Sequence, residues 1–142
     1  MRMKKQFFLL GCAVAMCVMP AVADEKETPL GKQMHAMNDA FKAFRKETDA
    51  VKGAALARDA QQAVLKAVTE VPSRVQTIPE GPDKVKAQVE YRKMMGKLYV
   101  TLCEVEEAFL NGKIDEVAKI VDSLKEMKKV GHEKFMDEED EK

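Results

Sequence analysis

LGKQMHAMNDAFKAF, Leu30 to Phe44, is the stretch that decides the fold. Leu30, Met34, Met37, Phe41 and Phe44 step by four, three, four and three, which draws one apolar seam down a helix. Thr28-Pro29 stands just before it, a cap followed by proline at the first helical position.

The same rhythm returns along the chain. A second helix runs to about Val71 and carries Leu56, Ala60, Ala63 or Val64, Ala67 or Val68, and Val71. Its start is open: Asp49 could cap it, or Gly53 could end the first helix. PSRVQTIPEGPD, Pro72 to Asp83, holds three prolines and a glycine and reads as an irregular connection. A third helix carries Tyr91, Met95, Leu98, Leu102, Val105 and Phe109, again alternating four and three. Asn111-Gly112 makes a short stop. The fourth begins near Ile114 or Asp115, with a stripe through Val117, Val121, Leu124, Lys128, His132 and Phe135. No alternating strand pattern competes. The expected architecture is all-α, an antiparallel up-down-up-down four-helix bundle.

Residues 1–23 are not expected to belong to that domain. MRMKKQ is a charged n-region, FFLLGCAVAMCVM an apolar run, and Ala21-Val22-Ala23 a small-residue cleavage signature. The run falls short of the about 20 residues that a membrane span needs, so it reads as a cleavable signal peptide. Leu9-Leu10-Gly11-Cys12 loosely fits the rival lipoprotein pattern. The bundle domain is then 24–142, with a frayed acidic tail from about 136. Loss of Arg2, Lys4 and Lys5 leaves 21 basic residues against 24 acidic ones, a net charge of −3. That balance argues against a nucleic-acid partner. Cys103 is the one thiol left, expected on a helix at the edge of the core, and it cannot form an internal disulfide.

Catalytic signatures are missing from the sequence: no HExxH, GxSxG, P-loop or GxGxxG occurs. Ser73 and Ser123, the serines of the domain, have no partner constellation, and no enzyme is expected. A different chemistry follows from topology. In such a bundle the start of the first helix meets the end of the fourth, so Met34 and His132 should face one another at similar depth. The second half of helix 2 (Val64, Leu65, Val68) and the first half of helix 3 (Tyr91, Met94, Met95, Leu98) share that end. An apolar pocket with an imidazole and a thioether on opposite walls suits a haem, whose iron accepts both. With no Cys-x-x-Cys-His in the chain, attachment would be non-covalent.

The residues that carry this reading also carry a resemblance. Leu30-x-x-x-Met34-x-x-x-Asn38-Asp39, Leu124-Lys125 through Lys128 to His132-x-Lys134-Phe135, Tyr91-Arg92-x-x-Met95-x-x-Leu98 and Asn111-Gly112-Lys113 are similar to the soluble periplasmic cytochrome b562 family. The resemblance extends from about Leu30 to Phe135. It implies a periplasmic electron carrier with one haem b per chain, Met34 and His132 as axial ligands, and an unknown periplasmic redox partner. The pocket would be lined by Met37, Phe41, Leu65, Val68, Tyr91, Met95 and Leu98, with Lys128 reaching towards a propionate. Lys128 stands where the family usually has arginine, and Gly131 where it has an aromatic. Met37 could substitute as a ligand if helix 1 is rotated, and His35 is expected in solvent. Two other readings stay open. Met34-His35-Met37, with Met94-Met95 nearby, could hold Cu(I), since thioethers select that ion. A haem-free bundle in periplasmic stress or protein interaction is the third.

Overall fold

The computed structural model describes residues 27–137. The expected signal peptide and the tail beyond 137 lie outside the described residues. Five helices follow in order: α1 (Pro29–Phe44), α2 (Ala50–Ala67), α3 (Ser73–Gln76), α4 (Pro82–Leu110) and α5 (Ile114–Phe135). The four long ones form the expected bundle, and no strand occurs among the described residues. No helix there is long and apolar enough to cross a membrane.

The ends of the helices follow from local chemistry. Thr28 Oγ1 accepts the Gly31 amide, with Pro29 opening α1. Asp49 Oδ1 accepts the Lys52 amide at 2.8 Å, so Asp49 caps α2 and Gly53 lies inside it. Glu47 accepts the amides of Thr48 and Asp49 in the turn between, and these two bonds hold its carboxyl below the usual range. α2 stops at Ala67, four residues short of Val71, and Pro72 keeps Val71 itself out of the helix. The connection is not wholly irregular: Ser73–Gln76 makes one helical turn. Gly112, at φ +68°, lets the chain reverse into α5.

Packing is uneven around the bundle. α1 lies on α2, α2 on α4 and α4 on α5, whereas α1 and α5 are not among the closely packed pairs. α2 presents a small-residue stripe of Ala54, Ala57, Ala60 and Ala67, all fully buried. Gly53 belongs to that stripe and meets the Phe109 ring so closely that an added Cβ would lie 2.3 Å from it. Gln61, the buried polar side chain here, donates to the Leu102 carbonyl and to Glu106. Glu106 also receives Arg58. Cys103 sits half-buried on α4, at the edge of the core.

The tail is anchored further than expected. Asp137 takes Arg74 Nε at 3.1 Å, and another Arg74 nitrogen donates to the Glu133 carbonyl. This satisfies an unpaired carbonyl in the last turn of α5 and ties α3 to it.

Candidate functional site

The open seam between α1 and α5 holds a cavity of about 560 Å³. Met34, Met37, Asn38 and Phe41 line it from α1, and Tyr91, Met94, Met95 and Leu98 from α4. α5 adds Leu124, Met127, Lys128, Gly131, His132 and Phe135. The connection closes one side with Val71, Pro72, Ser73 and Gln76.

Eight of the ten residues expected at the pocket therefore line one cavity: Met34, Met37, Phe41, Tyr91, Met95, Leu98, Lys128 and His132. Leu65 and Val68 do not. Leu65 is 45% exposed, because the buried stripe of α2 runs through Val64 and the next residue turns about 100° away. Val68 packs against the core as the C-cap of α2 without reaching the cavity. Of the Tyr91-Arg92-x-x-Met95 stretch, Tyr91 and Met95 face inward and Arg92 is exposed.

On α5 the stripe is rotated from its expected line. Val117, Val121, Leu124, Gly131 and Phe135 are buried, while Lys128 is exposed and His132 half-buried. Gly131 occupies the deep position, and a Cβ there would come within 3.0 Å of the Met94 methyl. Met94 thus fills the place a side chain would take. One residue further round, His132 is half-buried and lines the cavity. Lys128 donates to Asn38 Oδ1 at 3.1 Å, bridging the seam.

Tyr91 fixes the opposite wall. Its hydroxyl donates to the Ala67 carbonyl at 2.7 Å, and its ring meets Phe135 edge-on at 5.5 Å. Burial pushes the phenol above its ordinary range, with the Glu70 charge adding to the effect. Tyr91 is a neutral hydrogen-bond donor at physiological pH.

Two wall features escaped the sequence reading. Met127 was hidden because the stripe was drawn through Lys128 beside it. The α3 wall lay inside a segment marked as connection. Val75, spaced three and four from Pro72 and Val71, was the available signal, and it is buried. His35, as expected, is exposed; it pairs with Glu27 at the rim. All three of Met34, His35 and Met37 border the cavity, but Met34 and Met37 are half-buried and His35 alone is exposed, so they do not form one exposed donor cluster.

These walls fit a flat, apolar prosthetic group. The volume lies in the roughly 300–1,000 Å³ range of ligand and cofactor sites. The lining is mainly aliphatic, aromatic and thioether, with His132 from α5, and its remaining polar side chains include Glu27, His35, Asn38, Glu70 and Lys128. No cluster of three or more His, Cys, Asp or Glu side chains suited to a bare metal ion occurs among the described residues.

No curated protein matches the chain. A family model, described as cytochrome b562, matches residues 29–136, the whole of the bundle from the first residue of α1 to just past α5. The chain belongs to the cytochrome b562 family of haem-binding electron carriers.

Proposed function

We propose that this chain is a periplasmic carrier of single electrons that holds one b-type haem non-covalently between α1 and α5, with Met34 and His132 as its axial ligands. The observation that carries the reading is that Met34 and His132 line one cavity from the two helices flanking the open seam. Periplasmic location rests on the export pattern of residues 1–23.

A bound haem would supply a one-electron couple, and Met34 and His132 together holding its iron would leave no open position for oxygen or substrate. His132 would hold the iron through an imidazole nitrogen. Met34 would supply a soft thioether, which would favour the reduced state and raise the potential. Met95, Leu98, Tyr91 and Phe135 exclude water from the faces. At the mouth, the Lys128 ammonium, which donates to Asn38 Oδ1, would be placed to hold a carboxylate of the group. The non-covalent mode follows from the absence of a Cys-x-x-Cys-His sequence.

A haem titration tests this, read by visible spectra of the oxidised and reduced forms, with Met34→Ala and His132→Ala alongside. One equivalent binding in a low-spin, six-coordinate state, lost in both variants, is expected. Low-spin binding that survives Met34→Ala would assign the second ligand to Met37 or His35. Absence of specific binding to the unaltered chain would overturn the proposal.

A further inference from the structure

α4 carries a second, largely apolar stripe that no other helix among the described residues covers. Val85, Val89, Gly96, Val100, Cys103 and Leu110 fall within one sector of the helix, which Arg92 and Glu107 share, and four of them (89, 96, 103 and 110) are spaced by seven. The four largest are between 43% and 60% exposed. Nothing lies within 4 Å of a Cβ built on Gly96, and a shallow recess there is bordered by Lys97, Val100, Thr101 and Met127. Leu65 adjoins this face: it lies two turns from Arg58, on the side of α2 that reaches Glu106 of α4.

Charge on α4 is divided along its length. Lys84, Lys86, Arg92, Lys93 and Lys97 lie before Leu98; the two acids there, Asp83 and Glu90, are paired with Lys86 and Lys134. From Leu98 onward stand Glu104, Glu106 and Glu107 and no base, Glu106 being paired with Arg58. A helix that is basic at one end, acidic at the other and apolar along the same side is complementary to itself when reversed.

We infer that the α4 face binds a second copy of this chain, α4 antiparallel to α4 about a two-fold axis near Tyr99 and Val100. Gly96 then faces Cys103 of the second copy, Val89 faces Leu110, and Lys93 lies beside Glu104. The missing side chain at Gly96 lets the backbones approach. The two Cys103 side chains are held about seven residues, or roughly 10 Å, apart along the axis. That exceeds what a disulfide can span, so the pair remains reduced. The inference is independent of the haem reading.

Sedimentation equilibrium of the purified protein across a concentration series, with helicity checked by circular dichroism, reads the outcome. The unaltered chain should dimerise. Lys93→Glu alone and Glu104→Lys alone should each weaken the dimer by roughly tenfold or more. An equimolar mixture of the two variants should restore it, since each acid then meets a base. Under mild oxidation Gly96→Cys should yield a covalent dimer through a disulfide to Cys103 of the other copy. The same two positions within one chain are too far apart to bridge. A monomer throughout, charge variants that dimerise unchanged, or a Cys103–Cys103 bridge in the unaltered chain would each overturn the antiparallel pairing.

Discussion

The seam between α2 and α4 and the seam between α1 and α5 belong to one bundle and obey opposite rules. Between α2 and α4, Gly53, Ala54, Ala57 and Ala60 let the backbones close in around Phe109, which is fully buried. Between α1 and α5, Met34, Met37, Met127 and His132 remain half-buried around open volume. Small residues opposite a large ring give density, and long flexible side chains facing one another give room. Stability is concentrated in the first seam, which leaves the second free to be shaped for a ligand.

That division can be broken most severely at Phe109. Phe109→Ala should lower unfolding free energy by about 3–5 kcal/mol, measured by urea denaturation, because the dense seam cannot collapse over the lost ring. Ligand at the other seam should act in the opposite sense. Haem at 100 times its dissociation constant should stabilise the fold by about 2.7 kcal/mol. Amide exchange should slow more in α1 and α5 than in α2, which is closed without it. Equal slowing in all helices would count against a ligand seated in the open seam.

Gly53→Ala probes the dense seam by addition rather than removal. Its methyl group would overlap the Phe109 ring, so a loss of about 1–3 kcal/mol is expected. Gly131→Ala on the cavity side should cost less, since its methyl would meet the flexible end of Met94 at 3.0 Å and not a fixed ring. The smallest effect is at Tyr91, where Tyr91→Phe removes one buried hydrogen bond worth about 1 kcal/mol. The phenol's folded pKa is raised above its unfolded value near 10, so its contribution is complete below pH 10 and declines as pH rises beyond that. Above pH 10, stability of the unaltered chain should therefore fall more steeply with pH than that of Tyr91→Phe. Parallel slopes would refute the assignment.

The bundle was legible in the sequence because each seam repeats at the helical period, and a period survives small errors of boundary. Single positions were less secure. Asp49 and Gly53 were indistinguishable as helix signals, and a tertiary contact, the Phe109 ring on Gly53, explains why a glycine stands inside α2. On α5, apolar residues alone drew the stripe through Lys128 and His132. Its true line passes through Gly131, whose place in the core is taken by a side chain from α4. Leu65 was assigned to the pocket because it is apolar and at the right height, yet periodicity gives direction only when its centre is known.

One wall of the cavity is not a helix of the bundle. It is the connection from Val71 to Gln76, held at its far side by Arg74 on the end of α5. Connections accept insertions and exchanges that bundle helices do not. This wall can therefore diverge between lineages, or be redesigned, while Phe109 and the alanine stripe stay as they are. The molecule separates the part that must be inherited intact from the part through which its choice of ligand can evolve.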